Sequence, residues 1–292
     1  MTRIALATCA AMPDLDPDEQ LLIDPLRALG VDAQPAVWDD SGVNWSSFDL
    51  VVIRSTWNYT PRREEFLAWT RTVLHIVNPA DIVAWNTDKT YLGDLAAAGV
   101  PVVPTDRIEP GQTVDLPAQG RHVLKPSIGA GSVDAGLFDL SKADERTSAI
   151  AHAQRLLASG QTVMAQPYLD RIEAEGEAAL IFFGDTFSHA VTKGAMLTDK
   201  RKLVADLYTE EVITPRVATD AEMTVARAAL AAIPGGADRI AYARVDLVPA
   251  NDGSPLVIEL ELTEPSLFLG KAPGSAERFA RHLVENVLAG QT

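Results

Sequence analysis

The sequence is poor in cysteine: Cys9 is the single cysteine among 292 residues, so no internal disulfide can form. A disulfide-stapled secreted domain is therefore excluded, and a reducing, cytoplasmic setting is expected. Long apolar runs are also missing, since no segment reaches the roughly 18 residues that a membrane-spanning helix needs. The N-terminus lacks the basic region and apolar stretch typical of a signal peptide. We therefore expect no membrane partner.

Basic residues are outnumbered: 25 Lys and Arg stand against 40 Asp and Glu, which gives a formal net charge of −15 at pH 7. This balance argues against nucleic acid as the main partner, because phosphate backbones are bound by clustered Lys and Arg. A few well-placed cations and a metal ion can still bind a small phosphate ligand in an acidic protein. The expected partner is a small molecule. A homo-oligomer is compatible with the sequence, because such assemblies are common.

Strands and helices alternate over roughly the first 80 residues, a pattern typical of a doubly wound sheet. Buried strands are predicted over residues 3–9, 31–38 and 50–54, and helices after Asp16-Pro17 and over residues 61–76. The third of these strands is apolar almost throughout, as expected for a strand covered on both faces. The sequence therefore predicts a small α/β lobe at the start of the chain.

A second unit begins near Asn86, which is predicted to cap a helix that runs to Ala98 and carries Lys89 in its first turn. Further strands are predicted at residues 122–126, 163–166, 177–183, 187–193, 241–248 and 256–262, and helices at residues 141–158, 220–233 and 275–289. Residues 194–216 include Lys200, Arg201 and Lys202 and are predicted to form a mobile loop that closes over a site. This part of the chain is therefore expected to be α+β.

Charged residues alternate with apolar ones on two of the later predicted strands. Arg244 and Asp246 share one strand face, and Glu259 and Glu261 share one face of the next strand, because side chains alternate along a strand. Three carboxylates on one patch would repel one another unless a divalent cation with oxygen ligands bound them. The pattern favours a Mg²⁺ site, and the alternative is a solvated polar face at a sheet edge.

A flexible loop follows the strand that ends at Lys125. Such a loop can direct backbone N–H groups toward phosphate oxygens, while the lysine supplies a positive charge. The candidate phosphate contacts are Lys125, Ser127, Gly129, Gly131 and Ser132. The glycine spacing fits neither a Walker A loop nor a dinucleotide fingerprint. An ordinary surface loop is the alternative.

The strand at residues 163–166 runs into a proline and an aromatic residue. The backbone around Gln166, Tyr168 and Leu169 could present one carbonyl and one N–H to an adenine edge. Glu177 opens the following strand and could accept hydrogen bonds from ribose hydroxyls or join a metal shell. The alternative is a plain connection between core strands.

The order of these features resembles the ATP-grasp superfamily, with a glutathione synthetase-like ATP-binding domain, over residues 86–270. The resemblance implies a nucleotide held between two α+β lobes, residues 86–161 and 162–292, preceded by a pre-ATP-grasp lobe at residues 1–85. It places Lys89 and Lys125 on the phosphates of ATP, and Asp246 and Glu259 on Mg²⁺. Members of this group usually have Asn where this chain has Glu261, so the role of that residue departs from the pattern.

Residues 187–193 and 259–268 are similar to an actinobacterial subgroup that includes the D-cycloserine-forming O-ureido-D-serine cyclo-ligase. This resemblance implies an ATP- and Mg²⁺-dependent ligase that forms an acyl phosphate and then closes a ring, with Lys125 and Arg244 stabilising the transferring phosphoryl group. The alternatives are an intermolecular amino-acid or peptide ligase, a kinase with a stable phosphorylated product, and a non-catalytic nucleotide-binding protein.

Substrate recognition is expected in the first lobe, because ligands bind at the carboxyl ends of strands in open α/β sheets. The candidates there are Arg54 for a substrate carboxylate, with Ser55, Asn58 and Tyr59 for an amine or ureido group. Lys193 is a further candidate for substrate binding, from the predicted hairpin. The alternative is a loop whose side chains simply pack before the helix.

Overall fold

The computed structural model describes residues 1–195, 197 and 212–291. These residues form three β-sheets, one parallel and two antiparallel, with helices against them. Lys200, Arg201 and Lys202, in the predicted closing loop, lie outside the described residues. No helix of the described residues combines the length and apolar character needed to cross a membrane.

The first sheet is parallel and has the order β2-β1-β3-β4. Its strands are β1 (Arg3–Thr8), β2 (Asp32–Val37), β3 (Leu50–Ser55) and β4 (Ile76–Val77). The helices are α1 (Pro17–Gln20), α2 (Ile23–Ala28) and α3 (Arg63–Thr72). All six residues of β3 are buried, which agrees with its apolar sequence. The helix predicted over residues 61–76 is shorter, because a 3₁₀ turn precedes it and the chain must enter β4 after it.

Two helices connect the first lobe to the rest of the chain: α4 (Ala80–Asn86) and α5 (Tyr91–Ala97). The prediction that Asn86 caps a helix is wrong, because Asn86 ends α4 and Thr90 is the N-cap of α5. The Asn86 side chain is instead buried, donates to the Leu260 carbonyl at 2.6 Å and accepts from the Leu262 amide at 2.7 Å. Lys89 lies in the turn between the two helices.

The second sheet is antiparallel, with the order β5-β8-β6-β7. Its strands are β5 (Asp106–Ile108), β6 (Arg121–Pro126), β7 (Gly136–Asp139) and β8 (Val163–Pro167), with helix α6 (Ala143–Ala158) packed on it and the short helix α7 (Ile172–Glu175) after it. Since β8 pairs with β6, Val163–Pro167 belongs to this sheet although it follows the lobe boundary predicted after residue 161.

The third sheet is antiparallel, with the order β11-β10-β9-β12-β13. Its strands are β9 (Glu177–Phe183), β10 (Thr186–Lys193), β11 (Ile213–Arg216), β12 (Tyr242–Pro249) and β13 (Pro255–Glu261), and its helices are α8 (Asp220–Ala231) and α9 (Ser275–His282). A loop is predicted over residues 194–216, but residues 213–216 form a strand, and residues 196 and 198–211 lie outside the described residues. Helices α4, α5 and α8 pack on one face of this sheet.

Candidate active site

A cavity of about 490 Å³ lies where the three sheets meet. The first lobe contributes Met12, Asp16, Trp57 and Tyr59; the second sheet and its loop contribute Lys125, Gly129, Gly131 and Ser132; and the third sheet contributes Lys193, Arg244, Glu259 and Glu261. A smaller cavity of about 80 Å³ shares Lys125 and Ser132 with it. The structure therefore brings most of the sequence-predicted site residues to one connected space.

Lys89 is fixed at the cavity by its neighbours. Its amide donates to the Ser127 carbonyl at 2.8 Å, and its Nζ donates to the Gly129 carbonyl at 2.5 Å and lies 3.0 Å from Glu259 Oε1. Ser127, which is predicted to contact ATP, is buried and lines neither cavity. Ser127 instead holds the backbone of Lys89, and its own amide donates to the Thr162 carbonyl.

Lys125 lines both cavities. Burial lowers the pKa of its ammonium group, and the nearby Lys89 ammonium lowers it further, although the Glu259 carboxylate opposes the change. Within the described part of the chain, its Nζ has no hydrogen-bond partner. An ammonium group held in this way costs the fold free energy and is available to an anionic ligand.

Arg244 joins the carboxylates of β12 and β13. Cross-strand pairing sets Arg244 opposite Glu261 and Asp246 opposite Glu259. Arg244 donates to both oxygens of Asp246, at 2.9 and 3.0 Å, and also to Glu261. Lys193 lies 3.0 Å from Asp246 and 3.1 Å from Glu177, so it belongs with these carboxylates and not with the first lobe. Lys193 also lines the cavity, so its predicted contact with the substrate stays a prediction.

Two of the three predicted metal ligands line the cavity, namely Glu259 and Glu261, while the Asp246 side chain is 1% exposed and lies behind them. Among the described residues, no three acidic, His or Cys side chains form a cluster that could hold a metal ion by themselves. Mg²⁺ beside phosphates takes only one or two protein carboxylates and fills its shell with phosphate oxygens and water. The donor set present therefore fits Mg²⁺ bound together with a nucleotide.

The two cavity carboxylates differ in their pKa values. Burial would raise the pKa of Glu259, but the ammonium groups of Lys89 and Lys125 outweigh burial and lower it. Burial raises the pKa of Glu261 to about 8, and the negative charges of Glu259 and Asp246 add to this increase. The neighbouring Arg244 guanidinium lowers the pKa but does not cancel these effects. The lowered pKa favours the ionised form of Glu259, and a cation that joined Glu261 would lower the pKa of that carboxyl as well.

The smaller cavity is an apolar slot with a few polar groups. It is lined by Val103, Val123, Gln166, Pro167, Tyr168, Leu169, Ile172, Glu177, Val248 and Ile258, among others. The Gln166 side chain donates to Thr105 Oγ1 at 2.9 Å, and the Tyr168 amide donates to the Arg121 carbonyl at 2.9 Å. The slot adjoins the phosphate-binding candidates through Lys125, and its apolar walls suit the faces of a purine ring.

Three predicted substrate residues of the first lobe lie away from the cavity. Arg54 is 1% exposed and donates to both carboxylate oxygens of buried Glu19, at 2.7 and 2.9 Å. Ser55 is buried and accepts from the Asp16 amide, and Asn58 accepts from the Trp38 indole at 2.8 Å. The Arg54 and Ser55 side chains are thus held inside the protein, whereas Asn58 is half-buried, and none of the three lines the cavity. Tyr59 does line the cavity.

The cavity residues that the sequence analysis did not assign to the site include Asp16, Glu264, Ser266 and Phe268. Asp16 was interpreted only as a helix start, and it does accept from the Asp18 amide as the N-cap of α1. The other three lie at every second position, but the series shifts by one residue after Glu261. Extending the alternation of β13 leads to the buried Thr263, so that pattern alone could not assign residues 264, 266 and 268 to the cavity.

The first 80 residues match a model of the N-terminal domain of D-cycloserine synthetase DcsG, over residues 4–78. The cycloserine biosynthesis protein DcsG of Streptomyces lavendulae is 39% identical over an alignment of 299 residues, which covers 97% of this chain and 98% of that protein. The chain belongs to the D-cycloserine synthetase family. The crystal structure of D-cycloserine synthetase DcsG superposes with a TM-score of 0.88 at 38% identity, over 98% of this chain and 99% of that one.

More distant solved structures agree on the fold of this D-cycloserine synthetase relative. D-alanine–D-alanine ligase from Bacillus anthracis superposes with a TM-score of 0.67 at 14% identity, over 100% of this chain and 99% of that one. An ATP-grasp RimK domain protein from Sphaerobacter thermophilus gives 0.66 at 17% identity, over 97% and 99% of the two chains. The predicted ATP-grasp fold is confirmed.

Replacing Glu259 with Gln should raise the Mg²⁺ concentration needed for half-maximal ATP turnover by about tenfold or more, because metal-site substitutions of this kind cost 10–100-fold in affinity. Calorimetric titration of Mg²⁺ and ATP should show the same weakening without any turnover. Exposed Glu109, replaced by Gln, is the matched control and should change neither value. An unaltered Mg²⁺ requirement in the Glu259 variant would remove this carboxylate from the metal site.

Proposed function

We propose that this protein uses ATP to close O-ureido-D-serine into D-cycloserine. The observation that carries the proposal is the mixed lining of one cavity. The ATP-grasp lobes contribute four cations and three carboxylates to the lining, and the first lobe contributes one carboxylate, Asp16, and the aromatic side chains of Trp57 and Tyr59. The first group suits the phosphates of ATP with Mg²⁺, and the second suits a small polar substrate. The relationship to D-cycloserine synthetase DcsG supports this choice of substrate.

In the first step, a carboxylate oxygen of the substrate attacks the γ-phosphorus of ATP, the bond to ADP breaks and an acyl phosphate forms. We assign Lys89 and Lys125 to the phosphates, Arg244 to the transferring phosphoryl group and Glu259 with Glu261 to Mg²⁺. Bound Mg²⁺ would neutralise phosphate charge. Residues 166–169 and Glu177 are assigned to the adenosine, next to the slot that they line. Catalysis of phosphoryl transfer depends mainly on positioning and on such charge stabilisation.

In the second step, the ureido nitrogen bonded to oxygen attacks the acyl carbon. A C–N bond forms, phosphate leaves and the nitrogen loses its proton. Water then removes the carbamoyl group as ammonia and carbon dioxide, which leaves D-cycloserine. Because the nucleophile belongs to the same molecule, holding the substrate folded supplies a large part of the rate acceleration.

The proposal is tested by measuring ADP release and product mass with Mg-ATP. The panel contains O-ureido-D-serine, its L-isomer, and D- and L-amino acids with and without a second amine. We expect turnover with O-ureido-D-serine alone, yielding free phosphate and the five-membered ring. Turnover that requires two amino acids would contradict ring closure and indicate an intermolecular ligase. A phosphorylated product that retains its phosphate would indicate a kinase, and ATP binding without any turnover would indicate a nucleotide-binding protein.

A further inference from the structure

Shortly after β13 ends, five residues of the chain run along the wall of the cavity. We call residues 264–268 the wall segment. Side chains alternate along it: Glu264, Ser266 and Phe268 line the cavity, whereas Pro265 and Leu267 are buried behind them. This alternation is that of an extended strand, although the segment pairs with none of the strands β1 to β13 of the described residues.

Each carbonyl of the wall segment is held by a separate donor. Going along the segment from 264 to 268, the donors are Trp57 Nε1 at 3.1 Å, the Arg54 guanidinium, Arg244 Nη1 at 3.1 Å, His189 Nε2 at 2.9 Å and the Lys271 amide at 2.9 Å. Since a carbonyl only accepts, His189 carries a proton on Nε2. Donors from the first lobe, from the third sheet and from Lys271 therefore hold the backbone of the wall segment in place of the hydrogen bonds that a neighbouring strand would make.

The wall segment also contains backbone strain. Phe268 has a φ of +50°, a left-handed conformation that a bulky side chain rarely adopts. Its ring lies under the Arg244 guanidinium, with 5.4 Å between the guanidinium carbon and the ring centroid. Strain of this kind persists where the surroundings over-determine the backbone, and it is concentrated at ligand-binding sites.

Charges are divided unequally across the cavity. Its lysines and its arginine come from the second and third sheets and from the turn before α5. No Lys or Arg from the described residues of the first lobe lines it, and the charged groups on that side are Asp16 and Glu264. An amino-acid substrate has a carboxylate and an ammonium group, so the cationic side suits the first and the acidic side suits the second.

Glu264 is the better placed of the two acidic groups. The Tyr59 hydroxyl lies against the Glu264 carboxylate. The Tyr59 ring is stacked on the Phe66 ring, with 4.7 Å between the ring centroids. Asp16 already caps α1 with one oxygen. Burial raises the pKa of Glu264 to about 7, and the Lys89 ammonium only partly opposes this, so the carboxylate lacks a full counter-charge. An incoming ammonium group would supply one.

We propose that Glu264, positioned by Tyr59 and by the anchored wall segment, binds the α-ammonium group of the substrate. The inference rests on the proposed function, since it assigns one residue to one group of that substrate. It explains why five donors fix this segment: a specificity contact acts only when its geometry is maintained. It also gives the Trp57 and Arg54 side chains a positioning role in place of direct substrate contact.

The test compares O-ureido-D-serine with 3-(ureidooxy)propanoic acid, which lacks only the amine. The quantity measured is the ratio of kcat/KM values for the two compounds, from ADP release. We expect Glu264→Gln to lower this preference for the amine by about 30-fold or more, as expected for the loss of a buried charge-assisted contact. Tyr59→Phe should lower it by about fivefold, because the carboxylate remains but is less well held.

Exposed Glu285, replaced by Gln, is the control and should leave the preference unchanged. ATP binding by calorimetry shows that each variant is folded. If Glu264→Gln keeps the wild-type preference, or loses activity equally on both compounds, the inference is overturned while the proposed function stands. Absence of turnover by the wild-type protein with O-ureido-D-serine would overturn the proposed function, and the inference with it.

Discussion

Replacing Lys125 with Met should lower kcat/KM for ATP turnover by about 1,000-fold without lowering the unfolding temperature. The loss is expected because one preorganised donor to a developing charge contributes about 100- to 1,000-fold to the rate, and Lys125 serves both cavities. The unfolding temperature should stay the same or rise, because burial disfavours the charged form of Lys125 and the Lys89 ammonium group repels it. ADP release and calorimetric unfolding measure the two effects.

Lys142→Met is the matched control for this experiment. Lys142 is 57% exposed and pairs with Asp139 and Glu145 on the surface of the second sheet, so its removal should change neither quantity by much. Turnover within a few-fold of wild type in the Lys125 variant would rule out its role at the phosphates. A large fall in the unfolding temperature would contradict the statement that the buried Lys125 ammonium group destabilises the folded protein.

Replacing Arg54 with Met should destabilise the protein by about 3–5 kcal/mol, the cost of leaving a buried partner charge unpaired. The partner is Glu19, and the two side chains are 0% and 2% exposed. Arg54 also donates to the Pro265 carbonyl, and its guanidinium carbon lies 4.7 Å from the centre of the Tyr242 ring. The free energy of unfolding, from denaturant titration, is the quantity to compare.

A double replacement distinguishes the effect of the buried Arg54–Glu19 ion pair from the effects of the other Arg54 contacts. Arg54→Met with Glu19→Leu should recover much of the lost stability, because no buried charge is then left unpaired and the unsatisfied Arg54 Nη1 is removed as well. Arg27→Met is the control, since Arg27 pairs with Asp24 on the surface and should cost under about 1 kcal/mol. A double variant as unstable as the single one would mean that Arg54 acts through the Pro265 carbonyl and its ring contacts.

The carboxylate hairpin was predictable because its information is local. Alternation along β12 and β13 assigns Arg244, Asp246, Glu259 and Glu261 to one face, and the register between the strands agrees. The strand that delivers Lys125 was predicted for the same reason. Local patterns determine which side chains share a face, so they were sufficient for the charged residues of the hairpin and for Lys125, but not for Asp16 and Glu264.

The failed predictions concern contacts between distant parts of the chain. Arg54 lies near the carboxyl end of the buried strand β3, as a ligand-binding residue would, but its partners are Glu19, 35 positions away, and Pro265, 211 positions away. Whether a charged side chain faces a cavity or a buried partner depends on which lobes pack together. The same limit explains Ser127, whose burial is set by its contacts with Lys89 and Thr162.

The position of Asn86 against β13 has a consequence for aggregation. β13 is an edge strand, and a bare edge recruits strands from other molecules. Along its length and just beyond, its backbone is capped by side chains of Asn78, Asn86 and Tyr91 and by the chain at residues 101–103. The strand is therefore closed to foreign strands, and it cannot slip by the single residue that would turn Glu259 and Glu261 into the core.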